Sequence, residues 1–245
     1  MNSNQQANNI WSIYNKKEQE KIKWLLIMYV WLKRSRKIAE ELHEIQHKNS
    51  TEYKHYRSYL LHLVHETLEQ QAREINYTIC KHLEEVYKEI FKQVAKDLDN
   101  EHLQMPSRSE IYKLTHEIWV GDKNFEQRTY WNINQVYEKY LDIVKSDKKL
   151  DEKLKELDKL QKNYWYRIHR LVRTETMHVI NIASMRVYRA CGIGLVKWIT
   201  CMDERTCKVC ASRDEVIYPI DMCPLYPDHP NCRCLLVAVQ LKRWR

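Results

Sequence analysis

Apolar residues recur every three or four positions through most of this chain, which is the spacing of amphipathic helices. One such run extends over residues 22–45, and a second over residues 60–94. Between them, Asn49, Ser50 and Thr51 form a short polar segment whose side chains can cap the start of a helix. We therefore predict two long helices with a break near residue 50.

The same spacing predicts three helices farther along the chain. Ser109 follows Pro106 and can cap a short helix that reaches Trp119. A third long run covers about residues 124–144, and a fourth covers about residues 149–190. Polar residues at 146–147 are expected to separate these last two helices.

Glycine and proline mark a change of structure near residue 190. No glycine or proline precedes Pro106, and none lies between Asp122 and Cys191, whereas four of the five prolines follow residue 190. Long stretches without these residues favour helix. Gly192 is expected to end the fourth long helix in a left-handed conformation.

The C-terminal part of the chain is predicted to be a small α+β module with three β-like segments, at residues 195–201, 216–218 and 234–239. The expected fold class is therefore mainly α, with long helices followed by this module. We divide the chain into a helical N-terminal region, a helical segment and a Cys/His-rich module, at residues 1–105, 106–190 and 191–245.

Composition and charge add only weak indications of function. The 245 residues carry a net charge of +8, which favours contact with nucleic acid or another polyanion. Tyrosine and tryptophan (16 and 8 residues) greatly outnumber phenylalanine (2 residues). Their polar atoms suit partly solvated surfaces such as subunit interfaces. The same residues are also common at the borders of amphipathic helices, so both interpretations remain open.

The chain shows no predicted membrane span or signal peptide. Its apolar run at residues 24–32 has nine residues, whereas a helix needs roughly 20 to cross a bilayer. We therefore expect no membrane contact and a reducing, cytosolic setting. In that setting, clustered cysteines indicate metal ligands or free thiols before disulfides.

A compact group of cysteine and histidine residues is the feature with the clearest chemistry. Cys207 and Cys210 form a Cys-x2-Cys pair, and about 20 residues later come His229, Cys232 and Cys234. Zinc takes four sulfur or imidazole ligands, which proteins often supply as two pairs on tight turns. The spacing predicts a structural zinc site. Reduced thiols, a redox pair or a disulfide-linked knot remain as alternatives, and the four ligands are not singled out.

Two catalytic interpretations are weaker. Five candidate ligands leave no open position on a metal for a reacting water. Asp228 and His229 resemble the opening of a His-Asn-His nuclease motif, but no histidine follows to complete it. Glu175 lies on the apolar face of the fourth long helix, where a carboxylate is costly unless it is paired. We expect a structural ion pair with Arg173 or with an arginine of the C-terminal module.

In their order along the chain, these residues resemble the Mu F-like phage head-morphogenesis family, also called minor head or minor capsid proteins. The resemblance runs over residues 119–239 and is most specific in the closing His-Pro-Asn-Cys-Arg-Cys. The matching segments are Arg173-Thr174-Glu175, Gly192, Trp198, Asp203-Glu204-Arg205-Thr206-Cys207-Lys208-Val209-Cys210 and His229-Pro230-Asn231-Cys232-Arg233-Cys234. Family members commonly place an Asp-Gly turn after the cysteine pair. Here Glu215 follows Asp214, so we expect a different turn.

The resemblance implies a structural, non-enzymatic protein of a phage or prophage head. Residues 106–190 would be the helical segment of the head-morphogenesis domain, and Asp203, Arg205 and Arg233 are motif residues beside the zinc site. Expected partners are the portal protein, other capsid or scaffold subunits, and packaged double-stranded DNA. The expected location is the virion, at the portal vertex inside the procapsid, and the host cytoplasm during assembly. The alternatives are a DNA-binding accessory module and, less favoured, a metal-dependent nuclease or toxin-related enzyme.

Overall fold

The protein is described from a computed structural model that covers residues 2–19 and 22–239, with the backbone alone for residues 19 and 22–29. The predicted mainly helical chain with a small C-terminal sheet is confirmed. The apolar face predicted for residues 22–29 lies outside the described side chains. The helices are α1 (Ser3–Gln19), α2 (Ile22–Glu44), α3 (Thr51–Asp97), α4 (Arg108–Thr115), α5 (Phe125–Lys145), α6 (Leu150–Ala190) and α7 (Lys208–Arg213), and the strands are β1 (Leu195–Ile199), β2 (Ile217–Pro219) and β3 (Leu235–Ala238).

Local capping groups determine where the helices begin. The Ser50 hydroxyl accepts a hydrogen bond from the Tyr53 backbone N–H at 3.4 Å, which confirms the predicted break before α3. At α4 the predicted cap, Ser109, is wrong. Ser107 forms the cap instead, because its side chain and that of Glu110 each accept from the other residue's backbone N–H. This helix ends at Thr115 and does not reach Trp119.

Glycine ends α6 as predicted. Gly192 has φ of +70°, and the N–H of Ile193 donates to the carbonyl of Tyr188 at 2.9 Å. This bond belongs to the left-handed cap that closes many helices. The chain then turns directly into β1, which is the central strand of the sheet.

The sheet has the order β2-β1-β3, and both strand pairs are antiparallel. Trp198 of β1 lies opposite Leu236 of β3, and both side chains are buried. The guanidinium of Arg213 lies 5.3 Å from the centre of the Trp198 ring. Trp198 therefore forms the centre of the core of this small module.

The outer edge of β3 is covered by side chains instead of a fourth strand. Asn181 of α6 donates to the carbonyl of Cys234 at 3.2 Å and accepts from the N–H of Leu236 at 2.9 Å. The Tyr188 hydroxyl donates to the Leu236 carbonyl at 3.0 Å, and the Gln6 amide oxygen accepts from the N–H of Ala238 at 3.0 Å. These bonds satisfy backbone groups that would otherwise form an open edge.

The described residues form two compact units, and each is assembled from separated parts of the chain. The first unit takes its residues from 1–20, 80–117 and 170–245, and the second takes them from 21–79 and 118–169. The division along the sequence at residues 105 and 190 stays a prediction.

A buried lysine organises part of the second unit. Lys153 of α6 is fully buried and donates to the Val144 carbonyl at 3.0 Å and to the Gln46 amide oxygen at 2.7 Å. A cation at this place caps the last turn of α5.

Of the helices that the structure describes, none combines the length and the hydropathy that a bilayer span requires.

Candidate metal centre

The first pair of candidate ligands is presented by the start of α7. Cys207 is the N-cap of this helix, and its sulfur accepts from the backbone N–H of Cys210 at 3.3 Å. Cys210 lies one helical turn farther on and is buried. The Cys-x2-Cys spacing therefore brings both sulfurs to the same side of a single turn.

The second group of ligands comes from the segment that leads into β3. The Nε2 atom of His229 lies 3.3 Å from the Cys207 sulfur and 3.2 Å from the Cys210 sulfur. Its Nδ1 atom lies 2.9 Å from the carbonyl oxygen of Pro230. Because a carbonyl can only accept a hydrogen bond, Nδ1 carries a proton, and Nε2 is the ring atom that a metal would bind.

The candidate ligand atoms form two groups that share Cys210. Cys207, Cys210 and His229 make one group, Cys210, Cys232 and Cys234 make the other, and the atoms of each group lie within 4.8 Å of one another. The Cys210 and Cys232 sulfurs are 3.8 Å apart. We call these five residues the Cys/His knot. They line part of a small space of about 20 Å³, which is the size of a single ion.

Two separations at Cys210 are close to those around a tetrahedral zinc ion. Zinc–sulfur bonds of about 2.3 Å and zinc–nitrogen bonds of about 2.0 Å place tetrahedral ligands about 3.8 Å apart for two sulfurs and about 3.5 Å apart for sulfur and nitrogen. The distances from Cys210 to His229 and Cys232 are 3.2 and 3.8 Å. The donor set of thiols and an imidazole is also the one that zinc prefers.

The electrostatics of the knot favour thiolates at two of its cysteines. The backbone N–H of Cys210 holds the pKa of Cys207 below its usual value. A hydrogen bond from the Cys234 thiol lowers the pKa of Cys232 to about 5, and the pKa of Cys234 is raised in turn. Burial, followed by the charge of Cys232, raises the pKa of Cys210 to about 12. Two thiolates in this small space favour a cation that balances their charge.

The other cysteines lie outside the knot. All eight cysteines are in the described part of the chain, and none of them forms a disulfide. The Cys223 sulfur lies 3.4 Å from the carbonyl oxygen of Ile220. The Cys201 sulfur lies 3.8 Å from the Arg233 carbonyl oxygen. Neither residue belongs to either ligand group.

The motif residues Asp203, Arg205 and Arg233 meet beside the knot. The Asp203 carboxylate accepts from the Arg233 guanidinium at 2.6 Å and from the Arg205 guanidinium at 3.3 Å. The bond from Arg233 is the main reason why the pKa of Asp203 lies far below its usual range. This carboxylate links the loop before Cys207 to the Cys-Arg-Cys segment, so it positions the two halves of the knot.

The Arg-Thr-Glu segment of α6 is divided between separate contacts. The Arg173 guanidinium forms an ion pair with Glu18 of α1 at 3.1 Å. The predicted ion pair of Glu175 with Arg173 or with an arginine of the C-terminal module stays a prediction. Thr174 accepts a hydrogen bond from the N–H of Asn231 at 3.1 Å, and Glu175 is buried in the first unit.

Sequence reasoning missed the residues that connect the knot to distant parts of the chain. The indole N–H of Trp11 donates to the Arg233 carbonyl at 3.1 Å, across 222 positions of sequence. Glu18 and Asn181 were missed for the same reason. In the sequence these are a tryptophan, a glutamate and an asparagine on amphipathic helices, and nothing in their local spacing identifies such long-range partners.

Comparison with known proteins gives one family match. Residues 134–237, a little under half of the chain, match the family model described as phage Mu protein F like protein. The matched region runs from α5 into β3 and contains the whole Cys/His knot. No curated protein and no solved structure gives a significant match.

Proposed function

Residues 134–237 belong to the phage Mu protein F like family, and from this premise we propose that the protein is a structural component of phage or prophage head assembly. The observation that carries the proposal is the family match itself, which includes the Arg-Thr-Glu segment and the closing His-Pro-Asn-Cys-Arg-Cys. In the proposal, the helices provide binding surfaces and the C-terminal module is a rigid platform.

The role assigned to the Cys/His knot is that of a structural zinc site. The four ligands are drawn from the two groups that share Cys210, namely Cys207, Cys210 and His229 and then Cys210, Cys232 and Cys234. A set of four protein ligands leaves no position for a reacting water. The donor chemistry thus supports a stabilising role instead of a catalytic one.

The proposed partners are the portal protein and other subunits of the procapsid, and the proposed location is the virion. The family match supports this assignment. Exposed aromatic residues in the second unit supply suitable contact surface, since the side chains of Trp131 and Tyr166 are 50% and 57% exposed. Tyrosine and tryptophan are enriched at protein interfaces because they bury a large area at a low entropic cost.

Disruption of the coding sequence in the phage or prophage that carries it tests the proposal. We expect fewer infectious particles, an abnormal proportion of filled heads by electron microscopy, and recovery when the wild-type chain is supplied in trans. Mass spectrometry of purified wild-type virions should detect the chain. The proposal fails if the disrupted phage gives a normal yield of filled, infectious heads and the chain is missing from wild-type virions.

Direct contact with packaged DNA is the second part of the proposal, and the net charge of +8 supports it. Contacts between Lys or Arg and phosphates release counterions, so binding should weaken steeply as salt rises. For about six such contacts, we expect the affinity for duplex DNA to fall roughly 1,000-fold between 50 and 200 mM salt. Fluorescence anisotropy measures this change. No binding at 50 mM salt would remove DNA from the proposal and leave the assembly role in place.

A further inference from the structure

The N-terminal helix α1 reaches the Cys/His knot and the adjacent edge of the sheet. Trp11 donates its indole N–H to the carbonyl of Arg233, the residue between Cys232 and Cys234. Gln6 accepts the outward N–H of Ala238 in β3. Helix α1 thus occupies part of the place that a further strand would take beside β3.

The rest of α1 is held by packing and by ion pairs within the first unit. Ala7, Ile10 and Tyr14 form a buried face with exposed fractions of 0, 0 and 4%. Near its C-terminal end, Lys17 pairs with Glu89 at 3.0 Å. An isolated helix of 17 residues is marginal in water, so α1 depends on these tertiary contacts for its order.

We propose that metal binding in the Cys/His knot controls the docking of α1 on β3. The Arg233 carbonyl is the acceptor for Trp11, and its direction depends on the two cysteines on either side. The Cys210 and Cys232 sulfurs are 3.8 Å apart, so a metal held by both joins α7 to this short segment, and removal of the metal breaks that link. Trp11 then loses its acceptor, and the outer edge of β3 loses part of its cover.

The Arg233 side chain couples the same segment to the other half of the knot. Its guanidinium binds Asp203 at 2.6 Å, and Asp203 precedes Cys207 by four positions. A change in the knot therefore acts on Arg233 through both its backbone and its side chain. The inference rests on the proposed zinc site, and it does not depend on the proposed role in head assembly.

Hydrogen exchange of the full-length protein tests the coupling directly. The amides of α1 and β3 are compared by mass spectrometry in the zinc-loaded protein and after removal of zinc by EDTA. We expect exchange in α1 to be about tenfold faster or more without zinc, with α5 of the second unit unchanged. The proposal is overturned if α1 is equally protected in both states, or if the protein binds no zinc.

A second measurement uses the reciprocity of linked equilibria. If zinc stabilises the docking of α1, loss of docking must weaken zinc binding by the same factor. The double variant Gln6→Ala/Trp11→Ala should bind zinc about fivefold more weakly or worse in competition with a chromophoric chelator. The matched control is Gln5→Ala/Asn15→Ala, which alters exposed positions of the same helix. Equal zinc affinity in the wild type and the Gln6/Trp11 variant would overturn the proposal.

Discussion

Cys210 is the residue that joins the two groups of candidate ligand atoms at the C-terminal knot. Its sulfur lies within 4 Å of both the His229 nitrogen and the Cys232 sulfur, at 3.2 and 3.8 Å. It is also the cysteine whose pKa burial raises to about 12. A nearby cation is therefore needed before this thiol ionises near neutral pH, because ligation replaces the proton.

Metal analysis of the purified protein and of single-residue variants tests the zinc site. We expect about one zinc per chain, and we expect Cys210→Ser or Cys232→Ser to lose it and to lower Tm by about 5 °C or more. The matched control is Cys223→Ser, in the same module but outside both ligand groups, which should keep its zinc. A metal-free wild type with eight titratable thiols and the same Tm as the variants would refute the site.

Among the connecting elements, the turn from α7 to β2 has a different residue from the one expected for the family. Glu215 occupies the position where family members commonly have glycine, and it adopts φ of +60°. The Asp214 carboxylate accepts from the N–H of Thr200 at 2.8 Å, and the N–H of Glu215 donates to Trp198 at 2.8 Å. These bonds hold a left-handed conformation that costs a residue with a Cβ about 1 kcal/mol.

This turn gives a prediction about stability. Glu215→Gly should have a free energy of unfolding about 1 kcal/mol higher than Glu215→Ala, because only glycine adopts positive φ without a Cβ clash. Urea denaturation of the two zinc-loaded variants measures the difference. A matched pair at an ordinary position, Glu204→Gly and Glu204→Ala, should not show glycine as the more stable residue. If alanine is equal or better at position 215, the turn is not strained.

The elements show how far the sequence predicts this fold. Periodicity predicted α3, α5 and α6 because each buries an apolar stripe at helical spacing. It missed α1, whose buried Ala7, Ile10 and Tyr14 are separated by asparagine and glutamine. It also missed α7, which has six residues and begins at a cysteine instead of a usual capping residue.

At the scale of the whole molecule, each compact unit is discontinuous in sequence. The unit that contains the Cys/His knot also includes described residues from 1–20 and 80–117. Trp11 donates a hydrogen bond to the C-terminal segment, and Gln6 accepts one from it. His82 of α3 lies 3.0 Å from the Thr176 hydroxyl of α6. The family-matched region therefore contributes to both units and makes up only a part of each.

A fragment limited to residues 134–237 should fail to fold cooperatively even with zinc. It lacks α1 and α3, so apolar side chains of α6 and the edge of β3 would face water. We expect a sharp thermal transition for the full chain with zinc, and for the fragment a broad transition with binding of a hydrophobic dye. A fragment with a cooperative transition and full zinc affinity would show that the remaining segments are not needed.

The sequence by itself determined the features that depend on local spacing: the helical majority of the chain, the glycine cap after α6, and the pairing of cysteines at Cys207 and Cys210. Spacing is enough for these features because the residues involved lie within one or two turns of each other. Only the tertiary structure decided that Arg173 pairs with Glu18, that Cys223 lies outside the knot, and that α1 covers β3. Such contacts join residues far apart in the chain, and their geometry depends on how every intervening helix packs.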